Sequence, residues 1–189
     1  MWSKYSVIKK NNLINIAKRI DYPTRAWDKT HALFFKGDKI MLLLGTKTIG
    51  TQDVAPDGVI SLGSTYRKYC KKNACGITAF SRTATDISLQ HEGIYHLTAT
   101  FVASGDVAGD ITVQLYVNGQ AVDGVFATET ITTPTTELRT FVIDTYILVD
   151  KDCILGREST MSKTISFVNT SDAVTATFTS VVANVEKVV

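Results

Sequence analysis

The sequence predicts a mainly β protein, an antiparallel sandwich or barrel preceded by a basic N-terminal arm of different construction. Three observations carry this. From Ile77 to Val189, Thr, Val and Ile supply 44 of 113 residues, and Pro134 is the single proline. Such branched side chains lose χ1 freedom in a helix and pack well on a pleated sheet. Apolar and polar residues alternate through the same stretch, with turn residues at intervals of roughly 8–12 positions. Charge is divided as well: residues 1–72 hold 14 of the 20 Lys and Arg but five of the 18 acids, a balance of +9 against −7 for the remainder. With 189 residues, 44% of them hydrophobic, and a net charge of +2, the chain can bury a core and does not read as disordered. No run of 18 apolar residues and no secretory leader pattern is present, so a soluble, unsecreted protein is expected.

In the arm, Leu13, Ile16, Ala17 and Ile20 fall at i, i+3, i+4 and i+7 among Lys9, Lys10, Lys18 and Arg19. That spacing predicts a basic amphipathic helix, ended before Pro23 because the residue preceding proline disfavours helical geometry. Ala32–Lys36 and Lys39–Leu44 flank Gly37-Asp38 and predict a hairpin. Gly45 to Leu62, broken by Gly50, Pro56 and Asp57-Gly58, predicts an extended linker. One helix and two short strands cannot bury a core, so this part must pack on a partner or on its own β domain.

Further on, Tyr95, Leu97, Ala99, Phe101 and Ala103 have the period of a half-buried strand. Ile111, Val113, Leu115 and Val117 alternate next and run into Asn118-Gly119, the pair that suits a type I′ turn, so a hairpin into Ala121–Thr128 is expected. Leu138–Val149 predicts a long strand, apolar through Phe141, Ile143, Ile147 and Val149. Lys163–Asn169 and Ala173–Val185 are expected to pair across the polar turn Thr170-Ser171-Asp172.

The run Phe80-x6-Ile87-x5-Gly93-x-Tyr95-x-Leu97 resembles the signature of TNF-like jelly-rolls of the complement globular-head type. Ile87 and Leu97 stand where that family favours phenylalanine, and Cys75 where it has Asn or Asp. Residues 109–119 (Gly-Asp-Ile-Thr-Val-Gln-Leu-Tyr-Val-Asn-Gly) and 138–145 (Leu-Arg-Thr-Phe-Val-Ile-Asp-Thr) look like the small jelly-rolls of phage virion proteins. The resemblance covers about residues 77–189. It implies a jelly-roll sandwich and a homotrimer, with a role as head fibre, capsid decoration or host-surface binder.

No nucleophile elbow, zinc helix, phosphate loop or dinucleotide fingerprint is present, so catalysis and cofactors are not expected. His91, Glu92 and His96 could form a metal triad, but His91 and Glu92 as chain neighbours would face opposite ways, and no metal is expected. Asp144 interrupts an apolar strand and is expected to pair with Arg139 or with backbone amides. Asp106, Asp110 and Asp123 lack calcium-loop spacing. Cys70, Cys75 and Cys153 fit neither a redox nor a zinc pattern and are expected as free thiols. Tyr66, Arg67, Lys68, Tyr69, Lys71 and Lys72 interleave aromatics with positive charge. Without a nucleic-acid module around them, they read as a docking contact rather than a base-stacking one.

The resulting expectation is a non-enzymatic virion protein, made in the host cytoplasm, with no membrane association. Residues 1–65 form an anchoring arm and linker; residues 66–189 form the jelly-roll. Leu13, Ile16, Ile20, Leu33, Phe35, Met41 and Leu43 are expected to dock on a capsid or other virion protein. Tyr95, Leu97, Phe101, Leu115, Phe141 and Phe167 should face the sandwich interior or the trimer axis. The alternative is a tail-fibre module that binds a host glycan or protein; the absence of Trp after Trp27 counts against a stacked-sugar site.

Overall fold

The structure is a computed structural model that describes residues 43–69, 80–152, 159–160 and 162–188. In chain order the strands are β1 (Leu43–Lys47), β2 (Gln52–Val54), β3 (Ser64–Tyr69), β4 (Phe80–Arg82), β5 (Ile87–Leu89), β6 (Gly93–Gly105), β7 (Gly109–Val117), β8 (Gln120–Ile131), β9 (Arg139–Val149), β10 (Lys151–Asp152), β11 (Ser159–Thr160), β12 (Lys163–Asn169) and β13 (Ala176–Lys187). Two antiparallel sheets face each other as a jelly-roll. One has the order β3-β1-β13-β6-β9, with β2 also on β13; the other has the order β4-β5-β12-β7-β8. Strands β10 and β11 pair separately. No helix occurs among the described residues.

The alternation seen in the sequence is the pleat of these strands. In β6, Tyr95, Leu97, Ala99, Phe101 and Ala103 are all fully buried, and in β9 so are Phe141, Ile143, Ile147 and Val149, or nearly so. Leu115 on β7 and Phe167 on β12 complete the core from the second sheet, so all six residues expected at the interior or the trimer axis lie inside the sandwich. Phe101 joins the two layers, with its ring edge-on to Phe167 at 5.0 Å and to Phe178 at 6.1 Å. The β7–β8 hairpin forms as expected. Val117 pairs with Gln120, and Asn118 and Gly119 both take positive φ, 52° and 75°, the geometry of a type I′ turn.

Three expectations are corrected. Residues 45–62 are not a linker. β1 lies between β3 and β13, β2 adds to β13, and Leu44, Val54, Ile60 and Leu62 are buried in the core. The breakers here are turns between short strands. Pro56 and Asp57 (φ 60°) form a turn closed by the Gly58 N–H on the Ala55 carbonyl at 2.9 Å. The Ile60 N–H then bonds the Phe167 carbonyl at 2.8 Å. The jelly-roll therefore includes residues 43–65, which belong to it rather than to an arm.

Second, Leu43 and Leu44 do not belong to a hairpin with 32–36, because both edges of β1 are taken by β3 and β13. Leu43 is half-buried in the sheet and Leu44 is core, so neither is held out for a platform. Leu13, Ile16, Ile20, Leu33, Phe35 and Met41 lie outside the described residues, as do Cys70, Lys71, Lys72, Cys75 and Cys153.

Third, β12 and β13 do not pair with each other. β12 joins β5 and β7, while β13 joins β1, β2 and β6. The segment between them is an arch from one sheet to the other, pinned by Asn169. This fully buried amide donates to the Val54 carbonyl at 2.9 Å and the Val174 carbonyl at 3.1 Å, and its oxygen accepts from the Ser171 N–H and hydroxyl. A buried amide left unpaired would cost several kcal/mol, about 1–3 by mutational measures. Saturating all its polar positions fixes the arch.

Candidate assembly face

Filling the core with one set of β6 and β9 side chains leaves the other set on the outer face of the same sheet. Four cross-strand pairs form there: Ile94 with Leu148, His96 with Tyr146, Thr98 with Asp144, and Thr100 with Val142. Tyr146 is 66% exposed, Val142 54%, Leu148 50% and Ile94 38%. A lone exposed apolar side chain means little, but Ile94, Leu148 and Tyr146 fall on two adjacent rungs, with Val142 beyond the polar Thr98–Asp144 rung, a grouping of the kind that marks an interaction surface.

The patch has internal order. His96 stacks on Tyr146 at 4.8 Å between ring centroids and 23° between planes. Its Nε2 lies 2.5 Å from Asp144 Oδ1. Asp144 therefore pairs with His96 rather than Arg139, and it is an outward, 60% exposed side chain rather than a buried carboxylate. The pair is solvent-screened and worth little stability by itself. Its consequence is positional, since the His96 ring is bonded to Asp144 while it stacks on Tyr146. Glu186 on β13 stands opposite His96 on the other side.

The far part of this sheet is arranged around a missing side chain. Tyr66 on β3 donates its hydroxyl to Asn184 Oδ1 at 2.7 Å. A Cβ on Gly45 would meet Tyr66 Cε1 and Cζ and Asn184 Oδ1, each at 2.9 Å. Glycine at 45 thus lets an aromatic ring lie across β1, with Lys47 Nζ 5.9 Å from the ring centroid. Of the basic-aromatic run, Tyr66, Arg67, Lys68 and Tyr69 form this exposed edge strand.

At one end of the molecule Arg139 is engaged by Glu137. The Glu137 carboxylate also accepts from the Thr133 and Thr132 N–H groups, at 2.8 and 2.7 Å, and from the Thr132 hydroxyl. These bonds, the Thr133 and Thr132 amides first, lower its pKa from 4.5 to about 2. Among the described residues no three His, Cys, Asp or Glu converge on a metal position, so His91, Glu92 and His96 do not form a triad and Asp106, Asp110 and Asp123 do not form a calcium loop. Asp106 and Asp110 instead accept hydrogen bonds from the Thr175 N–H and the Thr130 hydroxyl. The outward β6–β9 face carried no sequence signal that separates it from any other outward strand face.

No protein-family model matches the chain, and no curated protein matches it in sequence. Among solved structures the chain is similar to murine APRIL at pH 5.0, at 8% identity over 78% of this chain and 99% of that one, with a TM-score of 0.54. It is similar to Eiger TNF from S. frugiperda at 9% identity over 80% and 94%, also with a TM-score of 0.54. PRD1 vertex protein P5 matches at 15% identity over 78% and 97%, with a TM-score of 0.43, too slight a likeness to carry weight. The fold is that of the TNF-like jelly-rolls.

Proposed function

We propose that this chain is a non-enzymatic structural protein of a phage virion, a homotrimeric head fibre or capsid-decoration protein. Its jelly-roll assembles through the β6–β9 face and is attached by the basic segment before residue 41. The observation that carries this reading is the exposed patch of Ile94, Val142, Tyr146 and Leu148 on a sandwich whose core is already complete without it. Residues 43–189 carry a balance of −4, so copies of the domain repel one another unless an apolar contact overcomes it. A patch on one face that meets a different surface of the next copy closes into a ring when the rotation between copies closes, and a threefold ring is the arrangement implied by the sequence resemblance. The virion assignment rests on the likeness of residues 109–119 and 138–145 to phage jelly-rolls.

Light scattering tests the assembly. The full chain should run as a trimer at micromolar concentration. Tyr146→Asp combined with Leu148→Asp should give a monomer that keeps its β circular dichroism. A wild-type monomer, or a trimer indifferent to both substitutions, would count against this face.

A further inference from the structure

At the end of the sandwich away from Leu43 lies a cavity of about 310 Å³. It is walled by the start of β7 and the β12–β13 arch, and its polar lining residues include Asp110, Thr112, Thr128, Thr170 and Asp172, with the exposed Ala173 beside them. We propose that it binds an uncharged sugar residue of a glycan. The first support is that its walls are built in advance. Ser171, 5% exposed, accepts from the Thr112 N–H at 3.0 Å and donates to Asn169, and Asp106 receives the Thr175 N–H at 2.9 Å. The Thr170 N–H bonds the Thr112 carbonyl at 2.8 Å. Walls held in this way lose little entropy when a ligand arrives.

The second support is chemical. Thr112 and Thr128 share one hydrogen bond at 2.8 Å, so the hydroxyl pair keeps capacity for a partner. Asp110 takes the Thr130 hydroxyl on Oδ1 at 2.6 Å, while its Oδ2 has no hydrogen-bond partner among the described residues. Carboxylates and hydroxyls in this arrangement accept from the adjacent hydroxyls of a sugar, and the exposed Ala173 beside them offers an apolar contact to its C–H face. No Lys or Arg occurs between Arg82 and Arg139, nor between Lys163 and Lys187, so neither wall supplies a base for an anion. Sialic acids, uronates and phosphates are therefore disfavoured. The volume sits at the lower end of ligand pockets, about 300–1,000 Å³, which limits occupancy to one or two sugar units.

The third support is placement. Leu43, where the chain enters β1, stands beside Glu186, whereas Gly105 at the cavity end of β6 stands beside Ala176. Glu186 in turn pairs with His96 of β6, so the two ends are separated by the stretch of β6 from His96 to Gly105, about 30 Å at 3.3 Å per residue. Placement rests on the proposed anchoring: a domain held near Leu43 presents the cavity outward.

The test uses the full chain on an array of neutral, amino, sialylated and uronate glycans, followed by NMR titration with the methyl glycoside of the best-retained sugar. Neutral glycans should be retained. Asp110→Asn, Asp172→Asn and Thr128→Val should each weaken binding at least tenfold, and Ala173→Phe should abolish it, with the melting temperature and trimer of each variant unchanged. Preference for acidic or amino sugars would overturn the proposal. So would the absence of any sugar binding at millimolar concentration, shifts at Asp110 produced by calcium chloride alone, or affinity indifferent to all four substitutions. A chain beginning at residue 41 should bind sugar like the full chain, so failure of the anchoring reading is distinguishable from failure of this one.

Discussion

Single residues at three sites set the local energetics. Phe101 has no exposed surface and bridges both sheets through Phe167 and Phe178. Phe101→Ala should cost about 3–5 kcal/mol in denaturant unfolding, because the cavity left between two rigid layers cannot close. An unchanged midpoint would place the ring outside the core. Glu137 acts through charge. Its folded pKa of about 2 lies below the ordinary 4.5, so its contribution to stability is present above pH 4.5 and is lost as pH falls through 2. The melting temperature of the wild type should therefore drop across that window more steeply than that of Glu137→Gln, and parallel curves would refute the assignment. Gly45 works through space alone: a methyl group there must displace the Tyr66 ring or Asn184.

Among the elements, the β7–β8 hairpin and the β12–β13 arch show how turn chemistry decides pairing. Asn118-Gly119 leaves two positions for a reversal, so the flanking strands pair with each other. Gly119→Val should cost roughly 1–2 kcal/mol, the left-handed penalty for a side-chain-bearing residue, measured as a shift in unfolding midpoint. The arch is longer, and Asn169 ties it to Val54 and Val174, so it carries the chain across the core to the other sheet instead. In β13 the alternation also slips. Ala176 and Phe178 face inward, then Val181, Ala183 and Val185 do, with the register shift lying between Phe178 and Ser180. An extra residue of this kind turns the rest of a strand over, and no period-2 reading can anticipate it.

For the whole molecule, the decisive point is where the jelly-roll begins. β1 occupies a position inside its sheet, between β3 and β13, and Ile60 and Leu62 are fully buried. A chain starting at residue 41 should remain a folded trimer yet fail to join particles. One starting at 70 loses β1, β2 and β3 and should not fold, exposing β13 along its length. Ile16→Asp with Ile20→Asp should reproduce the first outcome in an otherwise whole chain, read as occupancy on purified particles. Full occupancy by the chain from 41 would place the anchor in the jelly-roll.

Which stretches are strands, and which of their side chains turn inward, was legible in the order of residues alone. Tyr95 to Ala103, Ile111 to Val117 and Phe141 to Val149 alternate over distances a strand spans by itself, and burial selects for that alternation directly. The Asn-Gly reversal is equally local. Membership was settled only in three dimensions: β1 and β2 in the sandwich, β12 and β13 in opposite sheets, Asp144 with His96 rather than Arg139. The apolar patch and the cavity have the same origin. Tyr146 and Leu148 read as ordinary outward positions until β6 sets Ile94 and His96 beside them, and the cavity walls come from segments far apart in the chain. Periodicity records whether a side chain is buried, a property of one strand. Pairing records what lies next to it, and that is settled by contacts between distant strands, whose free energy no local pattern carries.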